Sequence, residues 1–189
     1  IIMELTAEIA RELLTYNPDT GKLFWKERSA KYFKNPTHRK SFNNQWAGKE
    51  ALTAITRRKS GQIARLRGGF LGKKYCTHRI VWLIYYGEWP KNHIDHINQD
   101  PTDNRIKNLR DVTQAENNKN KTLQNNSKTG YSGVSFYKRY RKYQVVISTN
   151  NIKKHLGYYD TAEEAAAVRA VASINYNFHP NHGNEKKGI

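Results

Sequence analysis

The groups best able to bind metal or move protons are gathered in one stretch, Lys91 to Asn117. Asp95 and His96 are adjacent, Asn108 follows after eleven intervening residues and Asn117 after eight more. A carboxylate beside an imidazole can meet both needs of phosphodiester hydrolysis, a cation on the phosphate and leaving oxygen and a base for the attacking water. Asp95 is therefore the expected metal ligand and His96 the expected base. Asn108 has no charge to offer and is expected to bond backbone groups across its loop, holding His96 in orientation. Asn117 can offer its amide oxygen to the metal from a helix. A carboxylate and an amide are hard oxygen donors, so Mg²⁺ or Mn²⁺ is expected in preference to Zn²⁺.

These residues need a scaffold that brings them to one point. Adjacent strand residues point to opposite faces, so Asp95 and His96 can share a site only where the chain bends. The turn-rich run from Asp100 to Asn104 permits that bend, and Asp100, Asp103 and Asn104 are read as turn-formers. Ile94 and Ile97 mark a strand, residues 109–112 a return strand, and Thr113 with Glu116 a capping box that starts a helix at Gln114. Asn117 then lies one turn inside that helix. His93 could touch a phosphate or fill the strand, and Arg105 is a plausible phosphate contact.

Upstream, Thr6 caps a helix patterned by Leu5, Ile9 and Leu13, which stops before the turn at residues 17–21. A strand follows at 22–26. Residues 27–47 are basic and poorly patterned, and a long loop or irregular hairpin is expected there. Residues 62–67 and 70–75 read as strands joined at Gly68-Gly69. Thr77 is expected to cap a helix from His78 to Tyr86, closed by Gly87, with Trp82, Tyr85 and Tyr86 as core and His78 as structural.

Composition narrows the partner. The 189 residues carry 33 Lys and Arg against 16 Asp and Glu, a net charge of +17, which favours nucleic acid over a membrane surface. The single cysteine, Cys76, excludes an internal disulfide and a cysteine-based zinc site. No apolar run approaches a membrane span, and Ile1 to Tyr16 lacks the pattern of a signal peptide. A soluble, cytoplasmic protein without a membrane partner is expected.

Beyond Asn117 the chain is polar, Asn-rich and free of carboxylates up to Gly130, which reads as a linker. A boundary near Thr122 would let the preceding domain fold by itself. Three strands at 133–137, 143–148 and 153–158 precede an Ala-rich helix at 160–172, whose small residues would let it lie close on a sheet. The residues from Asn181 onward look frayed.

The Asp-His, Asn, Asn spacing resembles the HNH, or ββα-metal, nucleases, and in particular a phage-encoded group. The lead-in residues 17–25, 78–82 and 87–90 resemble that family too. The resemblance implies Asp95 and Asn117 as metal ligands, His96 as general base and Asn108 as a structural member of the site. Gly130-Tyr-Ser-Gly-Val134, Lys142-Tyr143 and residues 156–166 resemble the APETALA2-like DNA-binding domain, in which a three-stranded sheet enters the major groove with a helix behind. Ser135 and Tyr137 stand where that family has base-reading arginines, and His155 where it has a tryptophan, so sequence preference does not carry over.

The expected fold is therefore α+β: an HNH domain at 1–121, a linker at 122–130, a small three-stranded antiparallel sheet on one helix at 131–178, and a tail at 179–189. Phosphate contacts are expected from Arg105, Lys119, Lys121, Lys138, Arg139, Arg141, Lys142, Lys153 and Lys154, with Tyr143 beside them. The expected function is a metal-dependent DNA endonuclease of the homing or phage type, which nicks double-stranded DNA as a monomer and leaves 3′-OH and 5′-phosphate ends. The alternative is a DNA-binding regulator with an inactive HNH scaffold.

Overall fold

The structure is a computed structural model that describes residues 4–121, 123, 127–149 and 152–183. Part of the expected linker, residues 150–151 and the tail from residue 184 lie outside the described residues. The chain divides into two compact units, residues 1–111 and 112–189, ahead of the linker expected at 122–130. Helices with small antiparallel sheets make the class α+β, as expected.

In the first unit, α1 (Ala7–Leu13) is capped by Thr6, whose hydroxyl accepts from the Ile9 amide at 3.3 Å. Ala7, Ala10 and Leu13 recur at spacing three and are buried. The helix ends where Leu14 turns extended, and β1 (Leu14–Asn17) pairs antiparallel with β2 (Lys22–Trp25). β1 reads in sequence as a continuation of the helix, because Leu14 and Tyr16 prolong its apolar run. Gly21 closes the hairpin at φ +73°, and a Cβ there would stand 2.5 Å from the Arg105 amide nitrogen. Only glycine gives both that backbone and that close approach.

Residues 27–47 are not the expected loop. They hold a 3₁₀ turn at Ala30–Tyr32 and α2 (Pro36–Trp46), with Asn35 capping the Thr37 amide at 2.8 Å and Pro36 in the first helical turn. No residue of α2 is buried, so there is no apolar stripe to announce it. β3 (Glu50–Ala51) then joins β2.

β4 (Ala54–Arg57), β5 (Ile63–Phe70) and β6 (Lys73–Cys76) form an antiparallel sheet in that order. Gly68 and Gly69 lie inside β5, and the turn comes later, at Leu71 and Gly72 with φ of 49° and 76°. Gly68 is needed for contact: a Cβ would meet Leu52 Cδ2 at 2.5 Å.

α3 (Thr77–Tyr86) buries Ile80, Val81 and Leu83 against Leu13, Leu14 and Leu23. Truncating any of these leucines to Ala would cost roughly 2–5 kcal/mol. Thr77 is not the cap; Cys76 holds that position, and the Thr77 hydroxyl donates to the Leu52 carbonyl at 2.6 Å. Gly87, at φ +83°, closes the helix by donating to the Leu83 carbonyl at 2.9 Å. Tyr85 and Tyr86 are half exposed rather than core. β7 (His93–His96) and β8 (Leu109–Val112) form a two-stranded sheet, with a short 3₁₀ turn at Ile106–Asn108 between them. The division between the units falls inside β8.

The second unit opens with α4 (Gln114–Asn118), started by the expected Thr113–Glu116 capping box. β9 (Val134–Tyr137), β10 (Lys142–Thr149) and β11 (Ile152–Tyr159) follow in the order β11-β10-β9, all antiparallel. α5 (Ala162–Asn175), boxed by Thr161 and Glu164, lays Ala165 on Val134 and Val145. The chain after α5 returns to the end of α4. The Lys119 ammonium donates to the Tyr176 carbonyl at 2.9 Å, the His179 amide to the Lys119 carbonyl at 3.1 Å, and the Gly183 amide to the Lys121 carbonyl at 2.8 Å. Residues 181–183, expected to fray, are thus hydrogen-bonded. His182 is half-buried, and burial beside the Arg169 guanidinium pushes its pKa down to about 4.

Candidate active site

β7 delivers Asp95 and His96, and the chain bends directly after them. The Gln99 amide donates to the His96 carbonyl at 2.9 Å, and Gln99 has φ +65°. The loop that follows is held by its own turn residues. Asp100 Oδ1 accepts from the Thr102 amide and hydroxyl at 2.8 and 2.7 Å, and the Asn98 amide group donates to Asp103 Oδ2 at 2.8 Å. Asp111 closes the base of the strand pair by accepting from the Lys91 and Asn92 amides at 2.7 and 2.9 Å.

Asn108 is buried and spans this loop. Its Oδ1 accepts from the Asn98 amide at 2.9 Å, and its Nδ2 donates to Asn98 Oδ1 at 2.9 Å and to the Asp103 carbonyl at 2.8 Å. The residue bonded to the His96 ring is a different one, Asn104. Asn104 is 1% exposed, and its Oδ1 lies 3.0 Å from His96 Nε2. Its Nδ2 donates to the Thr102 carbonyl at 3.2 Å, which fixes the amide with its oxygen toward the imidazole. Nε2 of neutral His96 therefore carries the hydrogen and Nδ1 the lone pair. The Tyr16 hydroxyl buttresses the same segment, donating to the Asn104 carbonyl at 3.1 Å and accepting from the Ile106 amide at 2.9 Å.

Burial lowers the His96 pKa, against the Asn104 hydrogen bond and the carboxylates of Asp95, Asp100 and Asp103, which raise it. The imidazole is thus uncharged at neutral pH, as a base must be. His78, at the start of α3, sets its ring edge-on to His96 with centroids 5.3 Å apart. Burial, then the charges of His96, Arg65 and Arg79, push its pKa down to about 3.

Asp95 is nearly buried, and its Oδ2 accepts from Arg110 Nε at 2.9 Å and from a terminal guanidinium nitrogen at 2.7 Å. Any cation bound by Asp95 meets this guanidinium first. The donor chemistry nevertheless fits a hard divalent ion. Among the described residues there is no group of three or more His, Cys, Asp or Glu side chains that could hold a metal ion. A Mg²⁺ ion keeps several waters and needs one or two protein oxygens beside the substrate phosphate, and the Asp95 carboxylate is a donor of that kind. Asn117 stands in α4, in the second unit, half-buried.

The residues expected to meet DNA fare unequally. Arg105 is clasped by Asp103, with Nε at 2.7 Å and a terminal nitrogen at 2.6 Å. Lys119 is spent on Tyr176, Lys154 donates to the Tyr176 hydroxyl at 3.0 Å, and Lys142 pairs with Asp160 at 3.1 Å. Tyr143 packs against Phe136 on the core under α5 rather than on the open face, because alternation puts it on the same side as Val145. Lys121, Lys138, Arg139, Arg141 and Lys153 are exposed, three of them in the turn between β9 and β10. His93 is exposed as well.

Asn104, Arg110 and His78 are the site residues that sequence reasoning left out. Asn104 looks like a turn residue, Arg110 like one more cation, and His78 like a helix start. The run Asp103-Asn-Arg-Ile-Lys-Asn-Leu-Arg110, with two amides and two arginines beside the motif, was the available signal.

Residues 75–119, which include all of these groups, match a family model described as an HNH endonuclease. Neither the curated proteins nor the solved structures provide a match to the chain. The family match supports an HNH nuclease, acting on DNA with a divalent metal. Among the described residues no helix is long and apolar enough to cross a membrane.

Proposed function

We propose that the protein is a metal-dependent DNA endonuclease in which Asp95 and Asn117 hold Mg²⁺ or Mn²⁺ and His96 is the general base. The observation that carries this reading is a half-buried imidazole whose pKa burial lowers, hydrogen-bonded to Asn104 and adjacent to a carboxylate, inside the segment that matches the HNH family. The metal would supply charge neutralisation at the scissile phosphate and leaving oxygen. His96 Nδ1 takes the proton of the attacking water. Asn104 and the edge of His78 keep the ring from rotating, and Asn108 keeps the loop closed beneath it. Water attacks phosphorus in line with the 3′-oxygen; the P–O3′ bond breaks and the 3′-oxygen leaves and takes up a proton, which gives 3′-OH and 5′-phosphate ends.

One motif per chain faces one strand, so a monomer nicks. The phage or homing character and a C-terminal APETALA2-like DNA-docking module belong to the same proposal, supported by the β9–β11 sheet with α5 behind it and by the exposed cations of the β9–β10 turn. Supercoiled plasmid incubated with the protein and Mg²⁺ tests it. Open circles that form with Mg²⁺ and fail to form with EDTA are expected. Binding without any cleavage in Mg²⁺ or Mn²⁺ would favour the regulator with an inactive scaffold.

A further inference from the structure

The β4–β5–β6 sheet carries charge that the site described above does not use. From Ala51 to Gly87 the chain has no acidic residue and eight cationic ones: Arg57, Arg58, Lys59, Arg65, Arg67, Lys73, Lys74 and Arg79. Strand alternation and register sort them. Arg65 lies opposite Thr56, Arg67 opposite Ala54 and Cys76, and Gly69 opposite Lys74, so Arg65, Arg67 and Lys74 share one face. All three are exposed, and among the described residues none of them forms an ion pair. The other face anchors the sheet: Gly68 abuts Leu52, and Tyr75 stacks on Trp89 with ring centroids 5.9 Å apart.

We infer that the Arg65–Arg67–Lys74 face is a docking surface for the phosphate backbone of double-stranded DNA, distinct from the C-terminal module. Three features select this occupant. The first is charge without any internal counter-charge. The second is low relief, since Ala54, Thr56 and Gly69 separate the three cations. The third is spacing: arginines two residues apart on a strand stand roughly 6.8 Å apart, and each DNA strand presents a phosphate about every 3.4 Å of helix axis.

The patch also runs into the candidate active site. Arg65 donates to Cys76 Sγ at 3.7 Å, Cys76 caps α3, and His78 follows two residues later against His96. The Arg65 charge is one of the causes that lower the His78 pKa, after burial and the charge of His96. DNA held on this face would lie next to the groups proposed to cut it, so the inference rests on the proposed function for its setting but not for its test.

The test is binding by the full chain to a mixed-sequence DNA duplex in EDTA, followed by fluorescence anisotropy over a range of NaCl, where no cleavage is required. Arg65→Ala/Arg67→Ala/Lys74→Ala should weaken binding at least about tenfold at physiological salt and shallow the slope of log affinity against log salt by up to roughly 2.7. Arg65→Lys/Arg67→Lys should keep most of both, and Arg67→Gln/Lys74→Gln, which leaves the Cys76 contact intact, should shallow the slope by up to roughly 1.8. Unchanged affinity and slope in the variants, or single-stranded DNA bound as tightly as duplex with the same dependence on the three residues, would overturn the inference. Wild-type protein that binds through this face yet never cuts in Mg²⁺ would sink the nuclease reading alone.

Discussion

Arg110 reaches a single oxygen of Asp95 with two nitrogens, at 2.9 and 2.7 Å, and so occupies with a guanidinium the carboxylate expected to hold the metal. The pair is largely shielded, with the Asp95 side chain 11% exposed. Arg110→Ala removes a competitor for the metal and takes two charge-assisted hydrogen bonds from a nearly buried carboxylate. Metal-free protein should lose roughly 1.5–3 kcal/mol, while Mn²⁺ should bind the DNA-free variant several-fold more tightly than wild type. Thermal melts with and without Mn²⁺ read both effects. Equal Mn²⁺ stabilisation of the two proteins would mean that Asp95 is not a ligand.

Asp95→Ala and His96→Ala should each abolish cleavage and leave duplex affinity within a few-fold, because basic surface elsewhere supplies the binding. Cleavage gels and anisotropy on one substrate decide it. A His96→Ala protein that cuts at the wild-type rate excludes His96 as the base.

Asn104→Ala should lower the turnover rate by about 10²-fold, at the lower end of what a positioned base contributes, with little change in DNA affinity. Gly21→Ala should act on the same segment from behind. It forces a Cβ to 2.5 Å from the Arg105 amide nitrogen at φ +73°, at a cost of roughly 1–3 kcal/mol. Single-turnover rates and melting temperatures of the two variants separate a lost ring contact from a displaced loop. Full activity in Asn104→Ala would assign the His96 orientation to other groups.

What the sequence revealed and what it hid follow from the range of the interactions involved. Asp95, His96, Asn108 and Asn117 stand out in the sequence because the motif is a matter of local spacing, α4 because a capping box is a short pattern, and α5 because its alanines favour a helix. The helix at 36–46 was hidden because it buries nothing and so has no apolar period. The turn at Leu71-Gly72 was displaced onto Gly68-Gly69 because a glycine needed for contact with Leu52 looks like a glycine needed for a turn. The roles of Asn104 and Arg110 depend on partners eight and fifteen residues away across a loop, which residue type alone cannot show.

Acid should destabilise the fold before carboxylates titrate. His78 and His182, with pKa values pushed down to about 3 and about 4, are uncharged in the folded protein, whereas unfolded histidine titrates near 6.5. Between those values the unfolded chain binds more protons, so stability falls as pH drops from about 6.5 to about 4. Asp103, held low by the Arg105 hydrogen bond, adds its loss only below the usual carboxylate range. His78→Phe and His182→Phe should each flatten the melting temperature between pH 6.5 and 4. An unchanged slope in both would mean that neither ring is desolvated in solution.

Cutting the chain after Leu123 was expected from the sequence to leave a working catalytic domain, but the hydrogen bonds of α4 predict otherwise. α4 has five residues, too few to be stable without tertiary support. The bonds that hold its C-terminal end come from Tyr176, His179 and Gly183, all of which the truncation removes. Asn117 would then sit on a fraying turn while Asp95, His96, Asn104 and Asn108 keep the partners they have within residues 1–111. The truncated protein should keep a cooperative melt from its Leu13–Leu23–Ile80 core, lose at least about tenfold in cleavage rate, and recover in part at high Mg²⁺ if the loss lies in the amide ligand. Hydrogen exchange at residues 114–118 should rise to the unprotected rate. Cleavage at the full-length rate, with protected amides in α4, would show that the helix stands without the returning tail.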